Sequence, residues 1–508
     1  MILFFVVTVT VLWVILFRYR RRRMYELAAL VAAPDVELPI IGISLSMFGN
    51  QQKVLATLQS FSYQAMKHGG ILRSWLNYRL YFLMVNPEDI EIILKQSLEK
   101  DGSTESMRAI VGYGSIHAPV SIWRRRRKIL APAFKQKILE GYMEIFYNQA
   151  ESLTTKLRSF AGTGTFDIFP FIIASSFNAV CKTAMGVNLD VVKNRETNIL
   201  TSLSHVLHVT CYRIFRMWMH PTWSFKLFPC YTGFKRCMDV LNGFIDDVIE
   251  KKQMKFKIER NSLTEADKNF ESQNSKSFLE YLIEISQADR GYNEVELREE
   301  MMTLLIAGTD TSAVATSYTL LLLAKYPKIQ EKAYQEILEV FQGSNRPVVK
   351  EDLLKLKYVE MVIKESMRLY PPVPFIARNI ETELPLPSGK ILPANSGGVI
   401  SIWGVHRNPK YWGQDAEHFN PDRFATEQVR TQHPCLFMPF SAGIRNCLGT
   451  QYAMLAIKTT LATILRKYKI VGQEESSPIP NIPCKLEIMM KAVDGYHIAI
   501  EEREVVNI

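Results

Sequence analysis

Cysteine is scarce in this chain: 508 residues contain seven, an odd number, dispersed and without a CxxC pair. A disulfide scaffold or a zinc ribbon needs paired spacings, so neither is expected, and most of these thiols read as small buried hydrophobes in a reducing compartment. After residue 17 no apolar run reaches the ~18 residues needed to span a bilayer. No self-similarity recurs at a period of about 20–50 residues, which excludes a solenoid. No glycine-rich dinucleotide fingerprint follows a predicted strand, so a nicotinamide- or flavin-binding unit is not expected within this chain. A diffuse cationic excess is missing too. The formal net charge of +10 equals two clusters of five, Arg18 with Arg20, Arg21, Arg22 and Arg23, and Arg124, Arg125, Arg126, Arg127 with Lys128. The remainder is formally neutral, which argues against a face that tracks phosphates, and no nucleic-acid partner is expected.

What is present begins with MILFFVVTVTVLWVILF, residues 1–17, without a charge. As a helix this run is ~25 Å long, slightly short of a ~30 Å hydrocarbon core, and its flanking aromatics and arginines extend it. The basic run RYRRRR follows it, whereas a cleavable secretory signal carries its positive charge in front. By the positive-inside rule the arginines stay cytosolic and the N-terminus crosses the membrane. The chain therefore divides into a transmembrane signal anchor with a basic stop-transfer run (1–23), a linker stiffened by Pro34 and Pro39 (24–45), and a cytosolic body (46–508).

The body is patterned mainly for helices. Apolar residues recur at i, i+3, i+4 and i+7 through 136–160, 195–218, 236–257, 277–288, 294–325, 328–341 and 358–369. Two short strands are predicted around Asn77, with a helix opened by Pro87 after them, and further strand-like pieces fall at 376–392 and in the last hundred residues. The polar stretch 261–277 reads as a surface loop. The expected fold class is mainly α with a small β component.

One cysteine stands apart. Residues 440–449 read FSAGIRNCLG, fitting F-x-x-G-x-R-x-C-x-G. Five specified residues in one register arise by chance in a chain of this length with a probability on the order of 10⁻⁴. The segment resembles the haem-ligand loop of the cytochrome P450 family. The resemblance implies Cys447 as the thiolate axial ligand of haem iron, Arg445 on a haem propionate, Phe440 over the proximal side, and Gly443 and Gly449 letting backbone approach the porphyrin. Other pieces appear in the family's order. KESMRLYPPVP at 364–374 sets Glu365 and Arg368 on one helix face, and PDRF at 421–424 adds Arg423, implying a three-member ion-pair network under the loop. Trp123 and Arg127, four apart, fit a propionate site, with Arg124, Arg125 and Arg126 as a solvated basic face. Arg378 and His406 are further propionate candidates.

LLIAGTDTSA at 304–313 matches the family's distal-helix segment. It places Ala307 and Gly308 at the porphyrin, with Gly308 letting the helix come close. Thr311 and Asp310 form an adjacent alcohol and carboxylate that could deliver the two protons consumed in O–O cleavage. The implied fold has a long distal helix over haem b (iron protoporphyrin IX), held non-covalently apart from the Cys447 thiolate–iron bond, and a proximal cysteine loop. The resemblance is nearest to insect-like members of the family-4 branch. Where that branch carries Glu, this chain has Ala307, so an ester link to haem cannot form, which bears on fatty-acid terminal hydroxylation.

The implied activity is a monooxygenase of the endoplasmic reticulum membrane, single-pass with its catalytic domain cytosolic. It would be reduced by NADPH-cytochrome P450 reductase, with cytochrome b5 as an additional donor, and would act on a small lipophilic substrate such as a fatty acid, a terpenoid hormone or a xenobiotic. A cationic patch of Arg124, Arg125, Arg126, Lys458, Arg466 and Lys469 is expected to meet the reductase. Met107, Ile110, Val111, Tyr113, Ile116 and Pro119, with 203–220 and Phe375, are expected to line the substrate pocket. The competing readings are a haem-dependent lipophile-binding protein without catalysis and a peroxide-driven isomerase.

Overall fold

The structure, a computed structural model, describes residues 1–508 except 39–40, 189–192, 263–275, 287–290, 426–432 and 504–508. Pro39 and most of the polar stretch 261–277 therefore lie outside the described residues. The chain forms two compact units, one of residues 1–102, 375–408 and 433–445, the other of 103–374, 409–432 and 446–508.

The first unit carries α1 (Ile2–Arg20), α2 (Arg22–Ala29), α3 (Gln51–Lys67), α4 (Pro87–Gln96) and a four-stranded sheet. Its strands are β1 (Ile71–Leu76), β2 (Arg79–Met84), β3 (Phe375–Ile380) and β4 (Ser396–Ser401), in the order β1-β2-β4-β3. Asn77 turns β1 into β2 in the left-handed region at φ 55°, where a short amide side chain is tolerated. Pro87 starts α4 with preset φ, and Glu88 and Asp89 complement the positive end of its dipole. Residues 22–29, assigned to the basic run and linker, form a helix that buries Met24, Leu27 and Ala28.

The described apolar side chains of α1 are mostly exposed, among them Phe4, Phe5, Leu12 and Trp13. Among the described residues no helix is long and apolar enough to cross a membrane, so the anchor expected over 1–23 is not shown. The side chains of residues 2, 3, 10 and 14 of α1 lie outside the described set.

The second unit is helical. Its longer members are α5 (Val120–Leu130), α6 (Met143–Leu157), α7 (Phe169–Val180), α8 (Lys193–Ile214), α9 (Cys230–Ser262), α10 (Phe278–Ser286), α11 (Glu294–Lys325), α12 (Pro327–Phe341), α13 (Lys357–Leu369) and α14 (Thr450–Lys467). The predicted boundaries of α11 coincide with the observed ones. Asn293 caps it, accepting from Glu296 N–H at 2.9 Å while Glu296 accepts from Asn293 N–H at 3.1 Å, a reciprocal box that satisfies two orphan donors. α11 is the core of this unit and packs against α7, α9, α13 and α14. A hairpin of β5 (Cys484–Glu487) and β6 (Met489–Ala492) lies in the same unit.

Besides α2, other elements escaped the sequence reading for identifiable reasons. α7, FPFIIASSFNAV, is too uniformly apolar to show a 3.6-residue stripe. β4, SGGVIS, carries two glycines, which weaken any strand signal. α3 was also missed; its apolar positions are thinned by glutamine and serine.

Candidate active site

Cys447 lies in a loop that ends at Gly449, the N-cap of α14. Its residue keeps exposed surface although its thiol is densely surrounded by protein, and that burial raises the thiol pKa. Three neighbours act the other way and favour thiolate: the Gly449 backbone N–H, the Arg127 charge and the Thr450 hydroxyl. Arg127 does more than supply charge. Its guanidinium donates to both the carbonyl and the side-chain oxygen of Asn446, each at 2.6 Å, and so grips the residue next to Cys447. Trp123, four residues earlier on α5, is buried.

The distal helix presents a narrow accessible stripe. Between residues 301 and 324 only Leu304, Ala307, Gly308 and Thr311 keep accessible surface, the i, i+3, i+4, i+7 pattern of a single face. Thr311 Oγ donates to the Ala307 carbonyl at 2.5 Å, and the helix runs unbroken through this turn. Gly308 also meets a packing constraint that the sequence did not show. A Cβ there would sit 2.7 Å from Val180 Cγ2 of α7, so the glycine is required by a helix crossing.

Asp310 faces away from that stripe. It is 1% exposed, and its Oδ1 lies 2.9 Å from Lys491 Nζ on β6. Burial pushes its carboxyl up, and the ammonium of Lys491 opposes that. Lys491 was not foreseen; a lone cation in the apolar strand MMKA is the signal that could have found it, because a buried charge requires a partner.

In the first unit, Arg378, Arg445 and Lys100 form a cationic cluster. Arg378 is 1% exposed; it donates to its neighbour's carbonyl, Ala377 O, at 3.0 Å, and its buried Nε has no acceptor. Burial and the charge of Arg445 lower its pKa to about 10. Lys100, also unforeseen, is pushed well below the ordinary lysine range by burial and by Arg378 and Arg445. Among the described residues no carboxylate pairs with Arg378 or Lys100 within 4 Å. Arg445 donates to Leu98 O at 2.8 Å. A buried Arg378 with no carboxylate partner among the described residues is costly, so this cluster fits a ligand that brings carboxylates, as the two haem propionates would.

His406 is fully buried, and its Nε2 accepts from Met438 N–H at 2.9 Å, which ties it to the loop leading to Phe440. Phe440 is half-buried. Gly443 adopts φ 73°, and a Cβ there would meet the Leu94 carbonyl oxygen at 2.9 Å, so packing against α4 demands it. Gly449 has ordinary φ, with a built Cβ 3.7 Å from Cys447 Sγ.

The predicted ion-pair network is assembled. Arg368 donates to Glu365 through Nε at 2.6 Å and Nη2 at 2.8 Å, both side chains fully buried, and Arg423 Nε stands 3.4 Å from Glu365. Arg368 also donates to the Ala416 and His418 carbonyls, linking α13 to the segment before PDRF.

The solvated basic face is corrected at Arg126 alone, since Arg124 and Arg125 are exposed as expected. Arg126 is 2% exposed and pairs with Glu299 at 2.7 Å and with Glu300 at 3.3 Å, while Arg125 pairs with Glu296. Three carboxylates on the first turns of α11 draw Arg126 inward, while Arg125 stays exposed beside them. Lys458 is buried against Glu360, and Arg466 donates to the Arg346 and Ser344 carbonyls. Of the six residues proposed for a reductase patch, Arg124 and Lys469 remain as exposed cations without such a partner.

The sequence model of the family described as "Cytochrome P450" matches residues 39–499, and the chain belongs to the cytochrome P450 family: it is a cytochrome P450 monooxygenase whose family implies a haem-iron cofactor. Within that family several of its relatives are named as family-4 members. It is 31% identical to "Cytochrome P450 4c21" of Blattella germanica over 98% of this chain and 99% of the relative. Identity is also 31% to "Cytochrome P450 4d2" of Drosophila melanogaster, over 86% of this chain and 87% of the relative. A mammalian relative, "Cytochrome P450 4V2" of Mus musculus, is 31% identical over 92% of this chain and 88% of its own length.

Proposed function

We propose that this chain is a membrane-anchored, reductase-dependent monooxygenase that inserts one oxygen atom into a lipophilic substrate, with haem b held by the Cys447 thiolate. The observation that carries the cofactor assignment is the pair of buried Arg378 and half-buried Lys100, which have no carboxylate partner among the described residues. They and Arg445 would hold propionates; in the other unit Trp123 and Arg127 are the proposed cofactor-contacting residues, with Arg127 also holding the cysteine loop through Asn446. When bound, haem supplies reductive dioxygen activation, which no amino-acid side chain provides.

The protein's own contributions follow from its geometry. Gly449 N–H, Thr450 and Arg127 stabilise the sulfur charge. His406 and Gly443 shape the proximal loop and Phe440 covers it. The accessible stripe Leu304, Ala307, Gly308 and Thr311 faces substrate, and the Thr311 hydroxyl, with Asp310 behind it, manages proton supply. Ala307 offers no carboxylate, so haem stays non-covalent apart from its iron–sulfur bond. The Glu365, Arg368 and Arg423 network supports the loop from below. The exposed apolar side chains of α1, followed by Arg18 and Arg20–Arg23, support a single-pass anchor in the endoplasmic reticulum with a cytosolic body. NADPH-cytochrome P450 reductase and cytochrome b5 are the proposed donors. Fatty acids, terpenoid hormones and xenobiotics are the proposed substrate classes.

The decisive experiment is the spectrum of the reduced CO complex of wild type and Cys447→Ser. Wild type is expected to give the red-shifted Soret band of thiolate ligation and Cys447→Ser to lose it; an unchanged spectrum would remove Cys447 from its role. NADPH consumption with reductase and candidate lipids then separates a monooxygenase from a lipophile-binding haem protein, which would consume none in step with substrate.

A further inference from the structure

We propose that Lys491, on the hairpin formed by β5 and β6, is a positioning residue that holds Asp310 as an oriented carboxylate behind Thr311, and that Glu487 in turn holds Lys491. The inference rests on the reading that Asp310 and Thr311 manage proton supply, and it extends that function to a part of the chain distant in sequence from every family motif.

The geometry is a chain of alternating charge that leads from the core to the surface. The Asp310 side chain is 2% exposed, Lys491 9%, Glu487 17% and His208 48%. Lys491 Nζ lies 2.9 Å from Asp310 Oδ1 and 3.9 Å from Glu487 Oε2. Glu487 Oε1 lies 3.7 Å from His208 Nδ1 of α8 and 3.3 Å from Lys485 Nζ. The stem of Lys491 is fixed as well, its ammonium standing 5.2 Å from the centre of the Phe169 ring. Around Asp310 the other titratable groups are the Tyr496 phenol, whose ionisation Asp310 opposes, and Glu487 itself.

Each link has an electrostatic purpose. A carboxylate buried in α11 without a cation would take up a proton at neutral pH, because burial penalises the charged form. Lys491, 2.9 Å away, opposes that penalty, although burial remains the larger effect on the carboxyl. An isolated lysine on the apolar strand β6 would be equally costly, and Glu487 removes that second penalty. Glu487 stays ionised: His208, Lys485 and Lys491 hold its carboxyl down to about 2 against the opposing effect of burial. The hairpin therefore acts on the charge one residue before Thr311.

The test uses full-length holoprotein with Lys491→Met, Lys491→Arg, Asp310→Asn and Thr311→Ala. The first readout is infrared difference spectroscopy of the resting protein at neutral pH. Subtracting Lys491→Met/Asp310→Asn from Lys491→Met is expected to show a protonated carboxylic acid, and subtracting Asp310→Asn from wild type a carboxylate. The second is the yield of hydrogen peroxide per NADPH with purified reductase and dodecanoate as the probe. In Lys491→Met a roughly tenfold loss of coupling is expected with unchanged KM, restored in Lys491→Arg. A carboxylate persisting in Lys491→Met overturns the inference. So does normal coupling in Lys491→Met where Asp310→Asn and Thr311→Ala are uncoupled, in which case the proton-supply reading stands alone. Normal coupling in Asp310→Asn and Thr311→Ala instead overturns that reading and this inference together.

Discussion

Arg378→Met is predicted to stabilise the protein without haem and to weaken its hold on haem. The opposite signs come from one feature: a buried guanidinium beside Arg445 with no carboxylate among the described residues to pair with. Burial lowers the Arg378 pKa to about 10. A base whose folded pKa lies below its unfolded one lowers stability at every pH below the folded value, and that loss is recovered only as pH rises through the two values. At neutral pH the whole penalty is present, about 3 kcal/mol at ~1.4 kcal/mol per pH unit. Methionine keeps the length and removes the charge, so urea unfolding of the apoprotein should show a gain of about 1–3 kcal/mol, within the range for replacing buried ions by apolar groups. With haem bound, the same change removes a charge-assisted hydrogen bond worth ~1.5–3 kcal/mol, so haem transfer to apomyoglobin should accelerate by about 10–100-fold. A less stable apoprotein with unaltered haem transfer would refute the reasoning, because it would mean that Arg378 serves a structural partner.

Arg368→Met should leave Glu365 charged in a dry site and cost about 3–5 kcal/mol, seen as loss of folded holoprotein, while Glu365→Leu/Arg368→Met should recover part of it. Gly308→Ala places a Cβ 2.7 Å from Val180 Cγ2, so its thermal unfolding should fall by the equivalent of ~1–3 kcal/mol. Val180→Ala in the same chain should relieve that loss. Glu487, a carboxylate held at about 2 in the folded protein, contributes stability that is fully present above about pH 5 and lost as pH falls toward 2, in all about 2–3 kcal/mol. An acid titration of Glu487→Gln should be flatter over that window; a parallel slope would exclude the group.

The one-dimensional pattern carried a great deal. Helix α11 was legible to its boundaries because its apolar positions recur with helical period, and the Glu365–Arg368 pair was legible because i, i+3 spacing fixes which side chains share a face. The cysteine loop was legible because five residue types coincide in one register. The basic cluster on α5 was not. Four consecutive arginines and a lysine look alike in a string, yet helical rotation sends Arg126 into the carboxylates of α11 and Arg127 onto Asn446 and leaves Arg124 exposed.

The sequence by itself determined the family, the mainly helical class, the thiolate candidate and the charge asymmetry behind α1, since each depends on residue type and short spacing. Tertiary structure alone decided the jobs of the glycines and the partners of the buried charges. Gly308 answers to Val180, Gly443 to Leu94, and Asp310 to a lysine 181 positions later, at 491. The physical reason is that excluded volume and desolvation act between atoms near in space. Which residues a packed core brings within 3 Å is a property of the fold, and no local pattern encodes it.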